Sequence, residues 1–476
     1  MKQVFSFDKL DKELYRIFSN EAIIEPCRLI GNGINYFQAI QSNAFELLRS
    51  KLLTGQKSNR FQSIKIAIRS NGIDHNIKNV INLFAASKRI ENLDDQVVFF
   101  CENFVPHILQ DFIKMIKAMQ GKCEIAFVTT DYRAFKFMKT YAVSHQFKTY
   151  LLKILQGKPR VYAALKNEYE VFFKTEVGKI IDEKYFNVIR KVFFKNLKLL
   201  QRFERTFSNF FEKYKPRIVV LGSDGFAVSR ILCFVAAKQG IRTSVVQHGF
   251  LSSYNGYLPL IAKQIFVWTD FEKKFLSQQN IDKDRIAVVG APRFVKDYNE
   301  IQVPTQLNET NILFVTSPVT TIEAARQISV GIDIYNRILN KANISFSLRL
   351  HPYYRSYMMS YVKKHYAKLI DDGKVSIDTL SFDKSLYKSD IIIFADISTT
   401  LFESIGNGKC CFLLNTEKRN SELIDLYNIP RLSIDEIVRM IDDNKKMMTY
   451  KNSLSQYKEK LSIEKTMKNI EIEILR

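Results

Sequence analysis

The chain is predicted to fold as an α/β protein of two Rossmann-like domains facing across a cleft, with a helical, basic insertion in its N-terminal half. Three observations carry this prediction. Short apolar, β-branched runs alternate with stretches of helical period, the pattern of a parallel sheet with crossover helices. The runs from residue 216 onward end in Gly, Ser, Asp or His, at the edge where open α/β sheets hold their ligands. A chain of 476 residues also exceeds one ordinary core, so two domains are expected, 1–268 and 269–476, with the boundary near 265 to 275.

Residues 1 to about 60 have mixed character and are not assigned beyond a turn at Asn32-Gly33-Ile34-Asn35. A strand is expected at 64–68, ending in Ser70-Asn71-Gly72, with further strands at 96–100 and 124–128. From about 130 to 215 the reading is mainly helical. The pattern then sharpens. Arg217-Ile218-Val219-Val220-Leu221 is a buried strand with the loop Gly222-Ser223-Asp224-Gly225, and a helix from about Ala227 leads to the strand 243–246, which ends in Gln247-His248-Gly249. Strands follow at 266–269 and 286–289, the latter running into Gly290-Ala291-Pro292-Arg293. After a polar linker at 296–310, a new series starts with 311–315 and the loop Thr316-Ser317-Pro318, then 345–350 ending in His351-Pro352, then 390–405 and 410–414. Two helical segments close the chain.

The composition, 46% hydrophobic and 25% charged, is that of a soluble globular protein. No apolar stretch approaches the roughly 20 residues that span a bilayer. The start, Met1-Lys2-Gln3-Val4-Phe5-Ser6, lacks the apolar core of a signal peptide, so a cytoplasmic location is expected. The six cysteines form no CxxC pair and sit mostly in apolar runs, as buried free thiols do; no histidine lies in zinc-ligand spacing. The net charge of +22 is concentrated: residues 131 to 217 hold 20 Lys/Arg against 8 Asp/Glu. Within that segment Ile189, Phe193, Leu197, Leu200, Phe203, Phe207 and Phe210 fall on one helical face, and Lys191, Lys195, Lys198, Arg202 and Arg205 on the other. This is either a solvated basic face or a surface for anionic lipid or an acidic polymer, which makes a peripheral position on the inner membrane face the expectation. No finger, RNP-type motif or basic tail points to nucleic acid.

Polar residues collect at the predicted strand ends: Asp224, His248, Arg293, Ser317, His351, Ser398, Thr399 and Glu403. Two facing α/β domains would bring those edges into one cleft. The stretch 390–405 joins a strand to a helix through Ser398, Thr399 and Thr400, and a helix start suits a phosphate. Thr400 and Glu403 also have the spacing of a capping box, which inert helices carry too. Each candidate keeps a plain alternative. His351 can simply end a strand, His248 can hold its loop, Asp224 can be a turn aspartate before Gly225, and Arg293 can pair with an acid.

The series Ser223-Asp224-Gly225, Gln247-His248-Gly249, His351-Pro352 and Ser398-Thr399-Thr400 with Glu403 resembles bacterial GT-B glycosyltransferases of surface polysaccharide synthesis. It is most similar to the CMP-sugar-dependent sialyl-, polysialyl- and Kdo-type capsule transferases, and less closely to CDP-glycerol polymerases. The resemblance covers roughly Pro216 to Leu414. It implies an acceptor-side N-terminal domain and a nucleotide-sugar-binding C-terminal domain. It also implies His351 on the nucleotide phosphate and the departing group, Ser398 and Thr399 on phosphate, Glu403 on the ribose, and Asp224 as catalytic base, with Ser223 standing where the motif has its first acid. His248 is a further catalytic candidate, and Ser317, Pro352, Thr400 and Arg293 join the phosphate set. The expected reaction is transfer of a nonulosonic or ulosonic acid from a CMP-activated donor to capsule, lipooligosaccharide or a related glycan, with no metal or cofactor. A UDP-sugar donor, CDP-glycerol transfer, and a non-catalytic surface-binding protein are the alternatives.

Overall fold

A computed structural model describes residues 7–54, 92–155, 162–251, 254, 256–294, 310–317, 321–338, 343–415, 429–454 and 463–476. The expected strand at 64–68, its Ser70-Asn71-Gly72 end, most of the linker 296–310 and Pro318 lie outside these residues. The chain divides into two compact units, one of residues 1–292 with 465–476, the other of 293–464. Each is built on a parallel sheet with crossover helices, so both are Rossmann-like. Among the described residues no helix is long and apolar enough to cross a membrane.

The first unit carries strands β1 (Val97–Cys101), β2 (Ile125–Thr129), β3 (Lys148–Leu151), β4 (Ile218–Leu221), β5 (Arg242–Val246), β6 (Gln264–Val267) and β7 (Ile286–Val288), in the order β3-β2-β1-β4-β5-β6-β7. β1, β2 and β4 are buried at every position, which is why they read as unbroken apolar runs. β3 falls inside the stretch read as helical; its exposed Lys148 and half-buried Thr149 belong to an edge strand whose outer positions need no apolar side chain. The expected boundary at 268/269 is corrected to 292/293. β7 pairs with β6 through Ile265↔Ile286 and Phe266↔Ala287, so residues after 268 complete the first sheet. The last helix, Ile463–Leu475, returns to the same unit, where Ile470 and Ile474 enter the core beside Val97, Phe99 and Ile125.

The N-terminal residues that the sequence left unassigned form the helices Phe7–Phe18, Glu21–Ile30, Tyr36–Ala39 and Gln41–Thr54. Tyr36–Ala39 and Gln41–Thr54 pack on the long helix Glu183–Lys213 and on Ala227–Lys238, Phe7–Phe18 packs on Gln41–Thr54, and Glu21–Ile30 packs on Tyr36–Ala39 and Tyr162–Phe172. Tyr169 donates to the Cys27 carbonyl at 2.8 Å, and the Tyr36 hydroxyl bonds Glu204. The amphipathic reading of the long helix holds: its seven named apolar residues are all buried, Lys191 and Lys195 are exposed, and Lys198, Arg202 and Arg205 are half-buried. All six cysteines are free, and all but the half-buried Cys123 are buried.

Arg230 ties these helices to the sheet. Its guanidinium, with no exposed surface, donates to the Asp224 carbonyl at 2.9 Å, the Gln38 carbonyl at 2.5 Å and Gln41 Oε1 at 2.7 Å. Burial lowers its pKa to about 10, with the nearby Asp224 carboxylate opposing the shift.

The second unit carries β8 (Thr310–Val315), β9 (Ile344–Arg349), β10 (Ser376–Ile377), β11 (Ile391–Phe394), β12 (Cys410–Leu414) and β13 (Arg431–Leu432), ordered β10-β9-β8-β11-β12-β13. Both edge strands are two residues long and carry little apolar signal. Among the described residues three helices rather than two lie toward the end of the chain, Ile434–Asp442, Asn444–Ser453 and Ile463–Leu475.

Arg230→Leu strands the Gln38 and Asp224 carbonyls and Gln41 Oε1 in a buried place. Chemical denaturation should show a loss of about 3 to 5 kcal/mol, well beyond what an exposed Arg→Leu change produces.

Candidate functional site

In the second unit the strand order reverses between β8 and β11, the position where open sheets leave a crevice at their carboxyl ends. Val315 is in register with both Arg349 and Phe394, so the loops after β8, β9 and β11 start at one level. Those loops hold Ser317, His351 and Pro352, and Ser398 with Thr399 and Thr400. The buried Thr316 hydroxyl joins two of them, donating to the Arg349 carbonyl at 2.9 Å and accepting the His351 amide at 2.9 Å. The Ser317 amide is held by Gln327 Oε1 at 2.8 Å. Behind His351, Arg349 is fixed by Asp378 at 2.5 Å, by the Leu380 carbonyl at 3.0 Å and by Ser385 Oγ at 3.1 Å. His351 precedes the 3₁₀ turn Pro352–Tyr354 and is half-buried.

The helix after β11 is Thr399–Gly406, and its N-cap is Ser398. The Thr400/Glu403 capping box expected from spacing is therefore corrected. The chain stays extended only through Ser398, so the helix begins two residues too early for Thr400 to cap it. Ser398 makes no side-chain capping bond; its hydroxyl lies 2.7 Å from Thr400 Oγ1. Thr399 and Thr400 are half-buried in the first turn, and Glu403 is half-buried at the start of the second. Arg293 lies in the 3₁₀ turn Pro292–Phe294 and is half-buried, and its neighbour Phe294 packs beside Gly406, at the opposite end of that helix.

The first unit reverses its strand order between β1 and β4, and the loops there carry Glu102 and Asp224. Asp224 is almost wholly buried. Its Oδ2 accepts the amides of Ile261 at 2.7 Å and Ala262 at 3.0 Å, while Oδ1 has no hydrogen-bond partner among the described residues. Burial pushes its pKa up, against the Arg230 charge and those two amides. Gly225 is required beside it, because a Cβ there would meet the Gly256 backbone at 2.5 Å. Next along the edge, half-buried His248 stacks on Tyr257 with ring centroids 5.0 Å apart. Buried Gln247 fixes that loop, its Oε1 accepting the Trp268 amide at 2.9 Å and its Nε2 donating to the Gly249 carbonyl at 2.9 Å.

Glu102 is the residue that sequence reasoning missed. It directly follows the β1 run, so the same strand-end rule would have found it. Its Oε2 accepts both the amide (2.8 Å) and the hydroxyl (3.0 Å) of Ser229 in the first turn of Ala227–Lys238. A buried carboxylate thus already occupies the anion-attracting end of that helix.

A family model of LIC12162 family transferases matches residues 25–410, from the second N-terminal helix to the start of β12, and so takes in every loop described above. The chain belongs to this family of transferases. No curated protein matches it in sequence. Among solved structures it is similar to the UDP-GlcNAc 2-epimerase from Neisseria meningitidis bound to UDP-GlcNAc. The identity is 14% and the TM-score 0.50, over 80% of this chain and 99% of the other. A glycosyltransferase from Rickettsia africae is similar at 14% identity and TM-score 0.50, again over 80% and 99% of the two chains. At such identities the likeness shows a shared fold, that of two-domain GT-B enzymes, and this transferase has it.

Because the folded state holds the Asp224 proton more tightly than an unfolded chain, whose carboxyl titrates near 3.8, this group makes stability fall as pH rises from 3.8 through the raised folded value. Asp224→Asn removes the titration. Urea unfolding across a pH series should show the variant gaining on the native protein with rising pH through that window, and a constant difference above it.

Proposed function

We propose that this transferase moves a sugar from a nucleotide-activated donor, and that the loops at the β8/β11 reversal hold the donor phosphate. The observation that supports this best is the convergence of Ser317, His351 and the Ser398, Thr399 and Thr400 hydroxyls on three adjacent strand ends, with a helix start among them. A donor of this class releases a nucleotide phosphate. The bond from the anomeric carbon to the phosphate oxygen breaks with its electron pair going to phosphate, while an acceptor oxygen bonds the carbon and loses its proton. Hydroxyls, first-turn amides and a protonated His351 are suited to the developing charge. Pro352 fixes the turn that follows the imidazole and Glu403 is assigned to the ribose, while Arg293, whose neighbour Phe294 packs at the far end of the helix Thr399–Gly406, is left out of the phosphate set.

The acceptor proton needs a base within reach. Of the two candidates in the first unit, His248 is half-buried beside Tyr257, whereas Asp224 has Oδ2 committed to two amides and only Oδ1 to offer. His248 is assigned the base and Asp224 a supporting role. No step in this scheme calls for a metal or cofactor.

The donor is assigned as a CMP-activated nonulosonic or ulosonic acid, and the acceptor as a capsule, lipooligosaccharide or other surface glycan met at the inner membrane face through the basic segment 131–217. One observation favours a second reading, a UDP-sugar donor: the similar N. meningitidis epimerase is bound to UDP-GlcNAc. Thermal shifts with CMP, CDP and UDP separate the two, since only the matching nucleotide should raise the melting temperature strongly.

With the matching donor, His351→Ala should lower nucleotide release about 100-fold or more while leaving the melting temperature near that of the native protein. Undiminished release by the variant would contradict the mechanism. Ser398→Ala with Thr399→Ala should weaken donor binding by about tenfold, from two lost hydrogen bonds of about 0.7 kcal/mol each.

A further inference from the structure

The helix Tyr162–Phe172 does not run straight into the long helix. It widens into a π turn at Phe173–Val177, continues for one short turn at Gly178–Ile180, breaks at the extended Ile181, and restarts at Glu183. Phe173 and Val177, at either end of the wider turn, are both buried. The elbow lines an open hollow of about 680 Å³. Its apolar wall is Val171, Ile181 and Phe186, and Val171 is left 61% exposed. Ile180, just outside it, is 40% exposed.

The charges on the rim are uneven. Lys174 and Arg190 have no carboxylate partner among the described residues, and Arg190 lies over the Phe194 ring at 5.6 Å. Glu170 is answered by Lys166 at 3.3 Å and Lys179 by Glu176 at 3.5 Å, which leaves Glu183 as the one lining acid without an ion pair there. An apolar hollow with exposed cations at its mouth, inside the most basic part of the chain, is complementary to a molecule with an anionic head and a hydrocarbon body. A soluble polyanionic glycan would match the cations and leave the apolar wall unused.

We infer that this elbow cavity takes the headgroup and upper chain of an anionic lipid, fixing the first unit to the membrane surface at a defined point. The inference deepens the membrane-side reading above, and vesicle binding tests it without donor or turnover. Full-length protein is sedimented with phosphatidylglycerol–phosphatidylcholine vesicles and with pure phosphatidylcholine vesicles. The native chain should bind the anionic vesicles only. Lys174→Gln with Arg190→Gln should lower the partition coefficient about 25-fold, at about fivefold per cation. Lys136→Gln with Lys139→Gln, equally exposed cations on another helix of the same segment, should lower it far less. Gly178→Leu probes the hollow itself. Residue 178 has helical φ −65°, and a Cβ there reaches the Phe186 ring at 3.6 Å, an ordinary contact, so the larger side chain enters the cavity without backbone strain. That uncharged change should cut anionic-vesicle binding severalfold with the melting temperature retained. Native-like binding by Gly178→Leu, equal losses from the two cation pairs, or binding of dextran sulfate in place of vesicles would each overturn the inference.

Discussion

The reversal of strand order at β8 and β11 constrains everything that can happen in the second unit. β9 follows β8 on one side and β12 follows β11 on the other, the arrangement that opens a crevice at the carboxyl ends of an open sheet. The ladder register sets the loops of β9, β8 and β11 at one height, and the Thr316 hydroxyl welds the first two together by bonding Arg349 and His351 at once. Arg349, held on three sides, keeps the end of β9 from twisting away. The chemistry-bearing side chains are thus placed by buried groups that take no part in the proposed reaction.

The first unit uses the same topology differently. Its reversal, between β1 and β4, carries two acids rather than hydroxyls. Glu102 fills the start of the following helix, so that helix offers no place to a phosphate. Asp224 is committed to the Ile261 and Ala262 amides and stands next to the buried Arg230, which in turn anchors Gln38 and Gln41. Removing one member disturbs the loop, the helix and the N-terminal segment together. The contrast between the units is physical: anion-receptive groups gather at one reversal, while the protein supplies its own anions at the other.

Much of this was legible in the sequence. The buried strands β1, β2, β4, β8, β11 and β12 announce themselves as apolar runs, and the polar residues that follow them mark the carboxyl edges. Periodicity found the buried face of the long helix. What stayed hidden has identifiable reasons. β3, β10 and β13 are short edge strands whose residues need not be apolar on both faces. The boundary moved because an apolar run such as β7 reads the same whichever sheet it joins, and only its pairing with β6 puts it in the first. The return of Ile463–Leu475 depends on contacts between residues hundreds of positions apart. Thr400 and Glu403 have the right spacing for a capping box, yet spacing cannot reveal that the chain stays extended only through Ser398. Arg230 sits within an apolar helix, where composition gives no hint of the carbonyls waiting for it.

The central claim is that the β8/β11 reversal receives the donor phosphate. Hydrogen–deuterium exchange on the full-length chain, with and without saturating CMP or UDP, tests it most directly. Protection should appear together at residues 316–317, at 351 and at 398–400, and should be reduced at all three loops in His351→Ala. Nucleotide binding that protects other segments and leaves these loops unchanged would contradict the account.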